Sequence, residues 1–227
     1  MKVALSRKRS RIDLDDDDEL QQRQPLPSPA LSTSSDTLKR SRTQNELDEL
    51  HVLRSEDAWA VDVASILASN TLAAPRGSSL QPHNNVDKYS SESVIILCVQ
   101  GNVHLHYDLL WSALPDLYAL SPSLQALVLC RDPSNHMPST TVAYSLPLIQ
   151  AVAPGYNHFV RLGLLHPLGG GEYPLDALVV IDGRGKRRLV LPFGWGAGKH
   201  AGTPAGRIVQ TRLMDLLRQC VETLVRE

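Results

Sequence analysis

The sequence predicts an α/β fold, in which strands and helices alternate around one central sheet. Residues 94–99 and 124–130 are continuous apolar segments typical of strands buried on both faces, and the apolar side chains of residues 107–120 between them have helical spacing. This order predicts a β-α-β unit, whose two strands run parallel. Farther along, an Asp-Gly turn separates two further apolar segments at residues 177–181 and 187–191, which predicts an antiparallel hairpin.

An amphipathic helix is predicted near the end of the chain. Pro204 stands near its start, and apolar residues then recur at helical spacing as far as Leu224. We expect its apolar face to cover one side of the sheet. Elsewhere, Pro115 predicts a kink or break in the helix of residues 107–120, and residues 140–144 predict an edge strand.

Residues 1–42 are predicted to form a disordered tail. They are rich in charged, Ser, Pro and Gln residues and contain no aromatic residue, so little apolar surface is available to offset the entropy of ordering. Two short basic clusters in this tail have the composition of a nuclear import signal, although an ordinary solvated tail has the same composition. The candidate import residues are Arg7, Lys8, Arg9, Arg11, Lys39, Arg40 and Arg42.

Residues 43–86 are predicted to form short helices and a linker. Thr43 begins a capping-box pattern ahead of a leucine stripe, and Ser55 is placed to cap a second helix that contains Trp59. Pro and Gly residues within 71–85 predict the linker. Two short amphipathic helices of this kind either pack on the main domain, which is the more common outcome, or bind a partner.

Composition narrows the class of protein. No stretch of about 18 apolar residues is present, so we expect no membrane span. The three cysteines, Cys98, Cys130 and Cys220, show no Cys-x-x-Cys spacing, which favours a reducing, intracellular compartment. We therefore expect the protein in the cytoplasm, the nucleus or both.

Charge is distributed unevenly along the chain. The formal net charge is −1, yet residues 43–182 carry 5 basic and 14 acidic side chains, whereas residues 183–227 carry 9 basic and 3 acidic ones. These two regions either neutralise each other within the fold or present a basic surface to an anion. The basic side chains are not interleaved with aromatic residues, so we do not expect nucleic-acid binding.

Other kinds of catalytic and ligand site find no support in the sequence. His104 and His106 are two residues apart, but no metal-ligand spacing surrounds them, and we predict no metal site. No Gly-x-Ser-x-Gly nucleophile elbow occurs, so hydrolase chemistry is not indicated. We also predict no cofactor.

Three segments carry a resemblance to a known family. They read SVIILCVQGN from residue 93, LQALVLCRDPS from residue 124 and YPLDALVVIDGRGKRRLVL from residue 173. Together with the order of elements, they make residues 87–227 similar to the thioredoxin-like fold, and within it to the peroxiredoxin and alkyl hydroperoxide reductase (AhpC/TSA-type) family. The resemblance implies a central mixed sheet flanked by helices.

The resemblance also implies a nucleophilic cysteine at the start of the helix after the first strand, where the helix N-terminus lowers the thiol pKa. The equivalent residues 101–107 contain no cysteine. They offer histidines instead, which cannot form the sulfenic acid that peroxide reduction requires. The resemblance also implies a cis bond before the proline of the active-site loop. The positions equivalent to that loop are Gly101, His104, His106 and Pro174.

Three functions remain open from the sequence. The first is a peroxiredoxin-like protein without the peroxidatic cysteine, which acts as a binding or regulatory module with a protein partner. The second is a thiol-dependent antioxidant oxidoreductase that uses Cys98, the cysteine nearest the expected site. The third is an anion- or nucleotide-binding protein that uses the glycine-rich loop 194–199, with Gly196, Gly198 and Lys199 as its candidate residues.

Overall fold

The structure is a computed structural model, and it describes residues 47–72, 81–82, 85–133, 136, 146–166, 169–193 and 200–227. The tail of residues 1–42, the capping box at Thr43, the edge strand predicted at 140–144 and the loop 194–199 lie outside the described residues. The predictions made for those segments therefore stay predictions.

Strands and helices alternate along the described ranges. The strands are β1 (Trp59–Ala60), β2 (Asn70–Leu72), β3 (Gln81–Pro82), β4 (Ile95–Gln100), β5 (Gln125–Cys130), β6 (Leu148–Gln150), β7 (Val152–Ala153), β8 (Tyr156–Asn157), β9 (Ala177–Ile181) and β10 (Lys186–Pro192). The helices are α1 (Val63–Leu67), α2 (Leu105–Leu120), α3 (His158–Arg161) and α4 (Pro204–Arg226). Within these ranges, eight strands form one mixed sheet in the order β1-β10-β9-β4-β5-β6-β2-β3, and β7 pairs with β8.

The three apolar segments of the sequence lie side by side at the centre of this sheet. β4 and β5 are parallel, with Leu97 opposite Leu127, and β9 runs antiparallel to β4, with Val179 opposite Leu97. β10 pairs antiparallel with β9 and completes the predicted hairpin. The α/β class with a thioredoxin-like central mixed sheet is therefore confirmed.

Helices cover both faces of the sheet, because side chains of the central strands alternate between two buried surfaces. One surface packs against α2 and α4 in a cluster that includes Ile96, Cys98, Tyr107, Leu117, Leu213 and Leu217. The opposite surface packs against α1 and α3 in a cluster that includes Val63, Leu67, Leu97, Leu129 and Phe159. The final amphipathic helix thus covers one side of the sheet, as the sequence predicts. None of the helices in the described ranges is both long enough and apolar enough to cross a lipid bilayer.

The segment before β4 differs from the sequence-based prediction. Trp59 lies in the edge strand β1 rather than in a helix capped by Ser55, and α1 begins only after Asp62, whose carboxylate accepts from the backbone of Ser65 at 3.1 Å. The reason is the free edge of β10, which offers backbone partners that outweigh local helical periodicity. Val61 N–H, for example, donates to Gly185 C=O at 2.8 Å. The predicted linker also contains β2, which pairs with β6.

Helix α2 runs through Pro115 without a break. A proline inside a helix costs about 3 kcal/mol, because it lacks an N–H and its ring crowds the preceding turn. The buried side chains of Leu110, Leu114 and Leu117, which lie on either side of Pro115 and pack against the sheet, hold the helix in place despite this cost. Packing on the sheet therefore overrides the local signal for a helix end.

Candidate functional site

The loop between β4 and α2 occupies the position that the family resemblance assigns to the active site. It lies beside the start of β9, because β9 is antiparallel to β4 and Val99 is opposite Ala177. This register places Asp176, the residue before β9, directly against the loop that follows Gln100. Two segments about 75 residues apart in the chain thus form one site.

The Asp176 carboxylate organises this loop. One carboxylate oxygen accepts from the backbone N–H of Gly101 at 2.7 Å and of Val103 at 3.1 Å, and the other accepts from Asn102 N–H at 3.2 Å. Three successive backbone donors in the loop before α2 are therefore satisfied by a carboxylate that directly precedes the neighbouring strand. Such charge-assisted bonds are stronger than those between neutral groups.

Gly101 is required by the close approach of the segment that precedes β9. A Cβ atom at this position would lie 2.9 Å from the carbonyl oxygen of Pro174 and 3.2 Å from each carboxylate oxygen of Asp176. Two of the predicted loop positions, Gly101 and Pro174, are thus brought together by the fold. The bond before Pro174 is trans, however, because the described residues contain no cis peptide bond, and the cis bond implied by the resemblance is wrong.

His104 lies at the N-cap of α2, but its side chain makes no capping hydrogen bond. The side-chain amide of Gln100 lies between two imidazoles: its nitrogen donates to Nδ1 of His104, and its oxygen accepts from Nδ1 of His136. Burial, with His104 nearby, lowers the pKa of His136 to about 4. His136 therefore stays neutral near pH 7, and neither imidazole can form a sulfenic acid.

His106 is fully buried behind the loop. Its Nε2–H donates to the backbone carbonyl of Val99 at 2.9 Å, and its ring stacks on Phe193 with centroids 5.6 Å apart. Burial lowers the pKa of His106, so the ring is neutral at pH 7. These contacts fasten the first turn of α2 to the end of β4, which is a structural role for one of the predicted loop positions.

Cys98 lies inside β4, paired on both sides, and none of its surface is exposed. Its side chain belongs to the buried cluster beneath α2. Burial raises the pKa of the Cys98 thiol well above its usual value, and the charge of Asp176 raises it further. Burial also raises the pKa of Cys130 and of Cys220 to about 12 each. All three thiols are therefore protonated at pH 7.

Asp176 and Gln100 are site residues that were not predicted from the sequence. The signal for Asp176 is a lone carboxylate directly before a continuous apolar strand, where a charge needs fixed donors to be accommodated. The role of Gln100 could not be predicted, because in the sequence it is only a polar residue at the end of a predicted strand. Within the described ranges, no group of three or more His, Cys, Asp or Glu side chains is placed to bind a metal ion.

Comparisons with known proteins found a partial similarity to one curated protein and a distant similarity to solved peroxiredoxin structures. No family model matches. Uba3-binding protein but1 of Schizosaccharomyces pombe is 44% identical over 59 residues, which are 26% of this chain and 23% of that protein. The chain thus aligns with about a quarter of the length of this relative.

Solved peroxiredoxin structures resemble the fold at low scores. Thioredoxin peroxidase I of Plasmodium yoelii has a TM-score of 0.48 and 13% identity, covering 70% of this chain and 86% of that one. The bacterioferritin comigratory protein of Xanthomonas campestris has a TM-score of 0.46 and 11% identity, covering 72% of this chain and 99% of that one. Mycobacterium tuberculosis AhpC has a TM-score of 0.41 and 12% identity, covering 74% and 98%. Likeness at this level does not assign an activity.

Proposed function

We propose that this chain is a non-catalytic protein-binding module, built on a thioredoxin-like fold that lacks the peroxidatic cysteine. The observation that carries the proposal is the contact of the Asp176 carboxylate with the backbone of Gly101, Asn102 and Val103. A fixed negative charge therefore lies in the loop directly before α2, and it disfavours a thiolate or an anionic substrate at this position.

The state of Cys98 supports the same proposal. Thiol chemistry requires the thiolate, and reactive cysteines lie in exposed, electropositive surroundings. Cys98 is fully buried in the central sheet, and Asp176 is the leading charge that raises its pKa. The oxidoreductase hypothesis would need β4 to open before peroxide could reach this sulfur atom.

A protein partner is suggested by the relative from fission yeast, whose name describes it as Uba3-binding. We take Uba3 as the first partner to test for this chain, because 44% identity over 59 residues is well above chance similarity. Cytoplasmic or nuclear localisation, expected from the sequence, is part of this proposal.

Two measurements on the full chain test the proposal. Isothermal titration calorimetry with purified Schizosaccharomyces pombe Uba3 is expected to show saturable binding. Peroxide consumption in the presence of dithiothreitol is expected to equal that of the Cys98→Ser variant. Peroxide turnover that disappears in Cys98→Ser would instead establish the oxidoreductase hypothesis. If the chain does not bind Uba3, then Uba3 is excluded as its partner.

A further inference from the structure

An exposed tryptophan and an arginine form a rigid pair at the edge of the sheet. Trp59 in β1 lies opposite Arg187 in β10, and the guanidinium carbon is 4.7 Å from the centroid of the indole ring. Half of the Trp59 surface remains exposed. Tryptophan and arginine are, with tyrosine, the residue types enriched among side chains that dominate protein–protein binding energy.

Both side chains are held in place by the segment that follows α3. Nη1 of Arg187 donates to the carbonyl of Leu162. The indole ring lies against Gly163, where a Cβ atom would be 2.8 Å from Cζ3 of Trp59 and where φ is +67°. Glycine is therefore required at position 163 for two reasons: its backbone has a positive φ, and the indole ring leaves no room for a Cβ atom. Because the pair is already fixed, little side-chain entropy would be lost on binding.

The charge of Arg187 is not neutralised within the described residues. No carboxylate there lies within ion-pair distance of its guanidinium, and its Nε atom is buried with no hydrogen-bond partner. Burial lowers the pKa of this side chain. Neighbouring arginines differ, since Arg161 pairs with Asp62 and Arg188 pairs with Asp182. A partly buried cation that has no counter-ion among the described residues would be stabilised by a carboxylate brought next to it.

We propose that Trp59 and Arg187 form the docking surface for the protein partner, and that the partner supplies an extended segment with an acidic side chain next to a large apolar one. The carboxylate would pair with Arg187, and the apolar side chain would pack on the exposed indole face. Val160 in α3, whose carbonyl accepts from Gly163 N–H, is a further apolar residue of this region and is 52% exposed. This inference rests on the proposed protein-binding function.

A peptide probe tests the surface directly. The probe is a fluorescein-labelled nonapeptide that repeats Asp-Asp-Leu, titrated with the full chain and followed by fluorescence anisotropy. We expect saturable binding that weakens roughly tenfold or more in Trp59→Ala and in Arg187→Gln. The matching Lys-Lys-Leu peptide is expected not to bind. Two control variants, Ile208→Ala at an apolar residue that is 63% exposed and Arg54→Gln at a well-exposed cation, should bind like the wild type.

The fold must be intact for this comparison, so the thermal unfolding midpoint of each variant is measured first. If Arg187→Gln is unfolded because the contact with Leu162 is lost, Arg187→Lys serves instead. It keeps the charge but not the forked donors, so we expect it to bind the peptide more weakly than the wild type does. Absence of peptide binding by the wild type, or equal binding by Trp59→Ala, would overturn the proposal. So would a concentration-dependent dimer that Trp59→Ala abolishes, because the surface would then belong to a second copy of the chain.

Measuring Uba3 binding to the wild type and to the two variants shows whether the docking surface or the proposed partner is wrong. If Uba3 binds the wild type and both variants equally, the docking surface is wrong and the binding function stands. If Uba3 does not bind while the acidic peptide binds through Trp59 and Arg187, the surface stands and Uba3 is the wrong partner. If Uba3 binds only chains that retain both side chains, both proposals are supported.

Discussion

At the scale of single residues, Asp176 determines the chemistry of the loop after β4. A helix N-terminus normally offers unpaired N–H groups and a partial positive charge to an anion. Here a carboxylate of the chain itself lies just before that end of α2 and accepts from the N–H groups of the preceding loop, with contacts between 2.7 and 3.2 Å. The residue therefore both stabilises the loop and opposes the formation of a second negative charge nearby.

Removing this carboxylate should loosen the loop. Asp176→Ala leaves the backbone donors of residues 101–103 without their acceptor, so we expect the free energy of unfolding to fall by about 1–3 kcal/mol. Urea denaturation measures the change. Asp116→Asn, at an exposed position of α2, is the control and should have little effect. A change in Asp176→Ala no larger than in Asp116→Asn would show that the loop does not depend on this contact.

How far the sequence predicts the site depends on the separation of the interacting residues. Gly101 and His104 follow a strand that is visible from its apolar run, so their positions could be predicted. The role of Asp176 could not, because it depends on the antiparallel register between β4 and β9, which brings residues 75 positions apart into contact. The same limit applies to His136, whose partner Gln100 lies 36 positions earlier.

At the scale of elements, predictions were accurate where burial dominates. β4, β5 and β9 appear close to their predicted bounds because short, continuous apolar runs are typical of strands buried on both faces, and β10 follows from the turn that joins it to β9. The region around Trp59 was predicted as a helix, because its local spacing fits one. The backbone of residues 59–60 pairs instead with the edge of β10. The sequence around Trp59 contains no local pattern from which this pairing could be predicted.

The short helix α3 is joined to the end of α1 by a buried histidine. Nε2 of His158 lies 2.7 Å from the hydroxyl of Ser69, and burial lowers the pKa of His158 to about 4. A histidine with a pKa below the unfolded value of about 6.5 binds fewer protons in the folded state than in the unfolded state. Its contribution to stability is therefore complete above pH 6.5 and is lost as pH falls toward 4.

This linkage gives a testable pH dependence. We expect the free energy of unfolding, measured by urea denaturation, to be about 1–2 kcal/mol lower at pH 5 than at pH 7 through His158 alone. His158→Gln should reduce the difference by that amount, whereas His51→Gln, at an exposed histidine, should leave it unchanged. An identical pH dependence in the wild type and His158→Gln would contradict the assignment.

At the scale of the whole molecule, Arg188 joins three distant parts of the chain. Its guanidinium is buried, donates through Nη1 to Asp182 at 3.0 Å, and forms two bonds to Glu227 at 2.7 and 2.8 Å. Its Nε–H donates to the carbonyl of Leu53 at 2.6 Å. The hairpin, the end of α4 and the segment before β1 thus meet at one side chain.

Removal of Arg188 should destabilise the whole fold. Arg188→Ala leaves the Asp182 carboxylate buried without its cation, and breaking a buried ion pair on one side costs about 3–5 kcal/mol. Thermal or urea unfolding of the full chain gives the change. The matched control is Arg212→Ala, because Arg212 is half-exposed and lies 3.5 Å from Asp48. A loss of stability under about 1 kcal/mol in Arg188→Ala would contradict this role.

The reactivity of Cys98 in the folded chain tests whether the protein is a non-catalytic module or a thiol enzyme. Native protein is treated with iodoacetamide at pH 7.5, or with hydrogen peroxide, and Cys98 modification is followed by mass spectrometry against the same chain in urea. The structure predicts that Cys98 stays unmodified over the time in which the unfolded chain reacts fully, because its thiol is buried and protonated. Rapid alkylation of Cys98 in the native protein, or its conversion to a sulfenic acid by peroxide, would contradict a non-catalytic function.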